Sequence, residues 1–330
     1  MYQVIAPALR GNDALGFLAA LGVVALAEQG ELQPVRLQWQ HGLTPVAAFL
    51  SDTYRCVADL AQELSAVVQR LTEKNAAIPG VPVEFPYAQR RHDDTAVGAD
   101  PMRMSREAAR GTYLDAERDW HSGQPWFSRW VIALLALTSQ NNKGICLTPF
   151  NAPFGQMKLR DSYYDQAREA IQKEVQMPGD AFTSWIRTER YTGANLDERA
   201  IRDASVATDG NPNNAGAPSP TWLAVMALRF FPMVDDGQRV QAVGWHDLNL
   251  DPYATKRTLV WPVWEPALDA PAIRTLLAHP DLDIEQQGMK ARARFPAKVR
   301  ALGVTALYGA SRRTRTQGDG PLGPARRIWP

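Results

Sequence analysis

Ten basic side chains crowd the last forty-five residues of this 330-residue chain. Lys290, Arg292, Arg294, Lys298, Arg300, Arg312, Arg313, Arg315, Arg326 and Arg327 stand against one acid, Asp319, over residues 286–330. That segment carries +9 while the whole chain carries +1, so residues 1–285 carry −8 and the near-neutral pI of 7.8 hides a polarised molecule. Such asymmetry is a cue for contact with a polyanion. Most of the ten are Arg, whose planar fork suits phosphate better than the point charge of a Lys ammonium. Lys290, Arg292, Arg294, Arg312, Arg313 and Arg315 are therefore read as phosphate-neutralising residues of a nucleic-acid face. The other reading is a solvated basic tail that meets an acidic partner.

Three polar stretches have chemistry that complements this charge. Gln140, Asn141, Asn142 and Lys143 gather three amides and a cation, groups suited to base edges or phosphates. Gln156, Lys158 and Arg160 alternate after a Gly-containing loop, so an extended backbone projects all three from one face. Asn211, Asn213 and Asn214 lie in a Gly- and Pro-rich stretch that is either a groove-probing loop or a connector. The blander alternatives for the first two are a helix-ending turn and a solvated strand edge. Trp245, Trp261, Trp264 and Trp329 lie near the basic end, and Trp either stacks on bases or anchors a core.

Catalytic patterns are missing. His92-Asp93 and His246-Asp247 are the dipeptides a metal-dependent phosphohydrolase would use, but the five His provide no i, i+4 pair and no ligand cluster. Gly318-Asp319-Gly320-Pro321-Leu322-Gly323 matches the dinucleotide fingerprint in letters only, because Pro321 and Pro324 leave no helix to receive a pyrophosphate. The sequence contains no Walker lysine motif, no nucleophile elbow, no HExxH and no CxxC. No catalytic residue, metal or cofactor is expected.

The elements that must position these groups follow from periodicity. A strand at Val4-Ile5-Ala6 leads through Gly11-Asn12-Asp13 to a helix from Ala14 to Ala27, capped by Asn12 or Asp13 and stopped at Gly30. The helix is apolar on nearly every side and must be covered on most of them. Val35, Leu37 and Trp39 alternate with Arg36, Gln38 and Gln40 as a half-buried strand does. Three-to-four spacing from Val46 through Phe49, Leu50, Val57, Leu60, Leu64, Val67, Val68 and Leu71 predicts amphipathic helices over 45–75.

Prolines break the pattern over 77–101, giving a loop or linker. Helices are expected over 125–137, 161–190, 221–231 and 270–277. Strands are expected at 145–147, 240–244 and 259–261, the last ended by Pro262, with a short strand or helix start at 302–307. The fold expected is α+β, predominantly helical with small mixed or antiparallel sheets, in a helix-rich N-terminal domain (1–210) and a C-terminal domain (211–330) that ends in the basic segment.

With 45% hydrophobic residues the chain can bury a substantial core. Cys56 and Cys146, its only cysteines, give neither a disulfide framework nor a zinc site, as expected for a reducing cytoplasm. No apolar run reaches the roughly 18–20 residues that span a bilayer, so no membrane role is expected.

The stretch Gly11-Asn12-Asp13-Ala14-Leu15-Gly16-Phe17-Leu18-Ala19-Ala20-Leu21-Gly22, followed by a strand ending in Trp39, resembles the start of CRISPR-associated proteins of the type I-G (formerly I-U) interference locus. Pro220-Thr221-Trp222-Leu223-Ala224 with Phe230-Phe231-Pro232 is similar to the same group. So is Trp261-Pro262-Val263-Trp264 with Leu302-Gly303-Val304 and Ser311-Arg312-Arg313. The resemblance implies a non-catalytic, large-subunit-like component of a crRNA-guided surveillance complex. Its implied partners are the backbone subunits, target double-stranded DNA and the helicase-nuclease, and its implied task is reading the motif that flanks the target. Base pairing would read most of the sequence while protein groups read the flanking duplex. The chain is short for a large subunit, so the accessory alternative is an adaptor from the same locus that never touches DNA. A metal-dependent hydrolase is the remaining alternative.

Overall fold

The structure, a computed structural model, describes residues 1–74, 76, 78–82, 88–90, 96–98, 105–123, 125–138, 145–150, 168, 177–202, 205–206, 212–235, 240–248, 250, 254–283, 295–314 and 319–329. Strand β1 (Tyr2–Arg10) enters helix α1 (Ala14–Glu28) through the predicted turn. Asp13 is the cap, accepting the N–H groups of Leu15 at 2.8 Å and Gly16 at 3.2 Å. Every residue from Ala14 to Leu26 is buried, which is why a helix with no polar face is stable here. The main partner of α1 is the helix Pro218–Met226, equally buried along its length. Gly22 permits the close crossing, since a Cβ there would stand 1.9 Å from the Leu223 carbonyl oxygen.

Strands β2 (Arg36–Gln40) and β3 (Val46–Ser51) complete an antiparallel sheet in the order β1-β3-β2. Residues 46–51 depart from the helical expectation. As the central strand, β3 presents apolar residues to both faces, so the alternation that marks a one-sided strand disappears. Helix α2 (Val57–Glu73) does follow the predicted spacing and buries Leu60, Leu64, Val67, Val68 and Leu71.

Helix α3 (Arg106–His121) packs on α4 (Trp126–Leu134). The predicted helix over 125–137 ends early, because Leu135–Leu137 pairs antiparallel with Ile145–Leu147. Within 77–101, Ala88–Arg90 and Ala96–Gly98 also pair antiparallel. Of the helix expected over 161–190, the described part is Met177–Thr183.

A five-stranded antiparallel sheet dominates the C-terminal third. Two eleven-residue strands, Ala254–Trp264 and Val304–Thr314, pair along their length, flanked by Trp245–Asp247, Asp319–Leu322 and Arg326–Trp329. Pro262 does not end the first long strand. It lies beyond Leu259, the last residue of that strand paired with Trp245–Asp247, where a missing N–H costs no ladder bond on that side. The predominantly helical expectation is overturned: the described residues contain eighteen strands, and the fold is mixed α+β.

One hydrophobic cluster runs from Val4 to Trp329. Trp261 donates its indole N–H to the Gly11 carbonyl at 2.7 Å, and Trp264 to the Leu37 carbonyl at 3.0 Å, joining the long C-terminal strand to the N-terminal sheet. Phe17 stacks on Trp39 and Trp261 in the same knot. Residues 210 and 211, where the domain division was expected, lie outside the described residues.

Candidate nucleic-acid interface

The basic C-terminal segment folds into the large sheet, and the sheet sorts its charges. Arg312 has no exposed surface. Its Nε and Nη2 donate to the Pro149 carbonyl at 3.2 and 2.8 Å, Nη2 donates also to the Phe150 carbonyl, and Nη1 donates to the carbonyls of Asn195 (3.3 Å) and Gly320 (3.1 Å). Its Cζ lies 5.4 Å from the Trp245 ring centroid. The expected phosphate contact of Arg312 is therefore corrected. A cation enclosed by main-chain oxygens from three distant segments is a structural tie, and no phosphate reaches it.

The acceptor from Asn195 comes from an unusual turn. Gly193, Ala194 and Asn195 all have positive φ, of 64°, 50° and 58°. Left-handed backbone costs an alanine roughly 1 kcal/mol, and anchoring on both sides holds the turn in place. Asp197, 2% exposed, is gripped by both Nη atoms of Arg187 at 2.9 and 3.3 Å and accepts the N–H groups of Arg199 and Ala217.

Arg313 is partly exposed, with Nη2 4.0 Å from Glu198. Lys298 pairs with Asp281 at 2.7 Å. Arg300 lies over the Trp329 ring at 5.7 Å. Arg326 and Arg327 are exposed on the last strand, in register with Gly309 and Tyr308. A bulge between Arg327 and Trp329 breaks the alternation of this strand, setting the two residues opposite the adjacent positions Tyr308 and Leu307. These are the cations that the fold offers outward, and the sequence pattern favoured the denser Arg-Arg-Thr-Arg run instead.

The other predicted residues divide simply. Asn213 sits in a two-residue ladder, Pro212–Asn213 against Ser205–Val206, and the Asn214 carbonyl accepts the Arg190 N–H at 2.6 Å. The stretch expected to be irregular is thus partly paired. Gln140, Asn141, Asn142, Lys143, Gln156, Lys158, Arg160, Asn211, Lys290, Arg292, Arg294 and Arg315 lie outside the described residues, as does His92-Asp93. Trp222, Trp261 and Trp264 are wholly buried, and Trp245 and Trp329 are 6% and 8% exposed, so all five serve the core.

His246 and Asp247 line a cleft of about 180 Å³ with Cys146, Trp245 and Arg257. His246 Nδ1 is 3.6 Å from Asp283. Burial pushes the Cys146 thiol up, against activation as a thiolate. No group of three or more His, Cys, Asp or Glu among the described residues is placed to hold a metal. Among the described residues no helix is long and apolar enough to cross a membrane.

No protein-family model matches the chain, and no curated protein is significantly similar to it.

Proposed function

We propose that the protein is a non-catalytic, large-subunit-like component of a crRNA-guided type I CRISPR surveillance complex that binds target DNA beside the guide-paired region. The observation that carries this reading is the concentration of +9 in residues 286–330, with Arg300, Arg326 and Arg327 each exposed to solvent. In this role Arg300, Arg326 and Arg327 neutralise phosphates together with Lys290, Arg292, Arg294, Arg313 and Arg315. An amide-rich stretch, 140–143, 156–160 or 211–214, probes the flanking motif, and the loaded complex then recruits the helicase-nuclease.

The test is the salt dependence of duplex binding, because each neutralised phosphate contributes a slope of about −0.9 in log K against log salt. Replacing Arg300, Arg326 and Arg327 with Ala is expected to flatten that slope and weaken all duplexes alike. Asn141 and Asn142 to Ala is expected to blunt discrimination between flanking sequences. Salt-insensitive association, or co-purification with backbone subunits but no DNA contact, would establish the adaptor role instead.

A further inference from the structure

At the C-terminal end of α1, four segments bring three arginines to one carboxylate. Glu28 receives both Nη atoms of Arg274, from the helix Ala270–Leu277, with Nη1 at 2.7 Å, and Arg129 Nη1 of α4 stands 2.7 Å away. Burial alone would raise the Glu28 carboxyl, but Arg274 and Arg129 outweigh it and hold the group below its ordinary 4.5. The carboxylate is thus fully engaged by two cations.

Arg229, at the turn that follows the helix Pro218–Met226, is the third. It is 3% exposed, and its Nη1 donates to Gln29 Oε1 at 2.6 Å. Its Nε and Nη2, three N–H groups in all, are buried with no hydrogen-bond acceptor among the described residues, and so is Gln29 Nε2. The bond from Arg229 fixes which end of the Gln29 amide is the oxygen, so the empty donor is not an amide placed backwards. Gly80 admits this amide, because a Cβ there would stand 2.1 Å from Gln29 Nε2.

Charge repeats the message. Among the described residues, the ionised groups that act on Arg229 are Glu28, favourably, and Arg129 and Arg274, unfavourably. Burial lowers the Arg229 guanidinium to about 9, which leaves it charged at neutral pH. Trp126 lies between two of the cations, with its ring centroid 5.0 Å from Arg129 Cζ and 5.4 Å from Arg229 Cζ. An aromatic face offsets part of a positive charge, but it supplies no acceptor for N–H groups that lie in the guanidinium plane. Among the described residues, three arginines against Glu28 leave +2, together with a buried set of unused donors.

We propose that this cluster binds a dianionic oxyanion of the phosphate class, as inorganic phosphate or the terminal group of a phosphomonoester. A dianion cancels the excess charge, and its oxygens supply the acceptors that Arg229 and Gln29 lack. An internal phosphodiester is a monoanion and would leave +1, and a continuous strand cannot lower its backbone onto a guanidinium this enclosed. The site uses none of residues 286–330, so it stands or falls independently of DNA binding at the basic end.

The experiment is calorimetric and thermal-shift titration of the full chain with sodium phosphate against sodium chloride at matched ionic strength, and with a 5′-phosphorylated dinucleotide against its 5′-hydroxyl form. Phosphate is expected to bind and raise the midpoint where chloride does not, and the 5′-phosphorylated form to bind where the hydroxyl form does not. Phosphate bound as tightly as the monoester identifies a free-anion site; a markedly tighter monoester identifies a nucleotide end. Arg229→Met, which keeps bulk and removes charge, is expected to weaken binding about thirtyfold or more, the effect of losing one partner of a buried charged contact. Should that variant fail to fold, Arg129→Gln, at a side chain 21% exposed, is expected to lower affinity at least severalfold. A wild-type response to phosphate no greater than to chloride, or undiminished affinity in the folded variants, overturns the proposal.

Discussion

Arg312 and Arg229 are the same side chain in nearly the same state of burial, and the protein treats them oppositely. Arg312 spends all three of its nitrogens on main-chain carbonyls from around Pro149, Asn195 and Gly320 and leans on Trp245. Arg229 also faces an indole, that of Trp126, yet makes one described hydrogen bond and leaves two nitrogens without an acceptor among the described residues. Enclosure of a charge is therefore not informative by itself. A saturated guanidinium is a fastener between segments, because leaving water cost it little once every donor was rebonded. An unsaturated one carries an unrelieved desolvation penalty, which only an external acceptor can relieve.

The sharpest way to break this comparison is to remove the fastener. Arg312→Ala is expected to destabilise the fold by about 4 kcal/mol, since it strands several buried carbonyls and opens a space beside Trp245. Arg312→Lys should recover only part of that, because an ammonium cannot reach acceptors spread around a planar fork. Urea midpoints of the two variants measure both. Equal stability of Arg312→Ala and wild type would refute the structural role.

Glu28→Gln comes next. It leaves Arg129, Arg229 and Arg274 without their carboxylate and is expected to cost about 3 kcal/mol. The same pair sets a pH dependence. Because the folded carboxyl titrates below 4.5, its contribution is complete above that value and is lost as pH falls through the lower folded one. The acid limb of the stability profile should be shallower in Glu28→Gln.

Much of the scaffold was legible in the residues. A cap at Asn12 or Asp13 on an all-apolar helix, the alternation through Trp39, and the helix at 270–277 follow directly from local chemistry, and the structure selects Asp13. What stayed hidden depended on partners far away in the chain. Val46–Ser51 reads as helix because a central strand has no polar face to show, and Pro262 reads as a stop because the sequence does not reveal which side of a strand needs its N–H. The site was less legible than the fold. Arg312 and Arg313 are neighbours in a basic run, but a strand sends successive side chains to opposite faces, so one enters the core while the other reaches toward Glu198. Arg229 gave no signal at all, since a lone Arg in an apolar stretch declares neither its burial nor its missing acceptors.

The smallest stability effect is expected at the outward cations, and it completes the comparison. Arg300→Ala with Arg327→Ala removes charge from an exposed surface, where the change in stability should stay within about 0.5 kcal/mol. The loss of the Arg300 contact with Trp329 is the one structural debit. Duplex affinity should nonetheless fall, and the salt slope should flatten by about 1.8 if both side chains meet phosphates. Arg312→Ala, measured where it remains folded, should leave that slope unchanged. A double variant with an unaltered slope would remove the C-terminal sheet from the DNA-binding surface, while a changed slope in Arg312→Ala alone would show that the buried tie shapes the surface it supports. Charge counted along the sequence treats these three arginines as equal; solvent access divides them into one that holds the sheet together and two that are free to meet a polyanion.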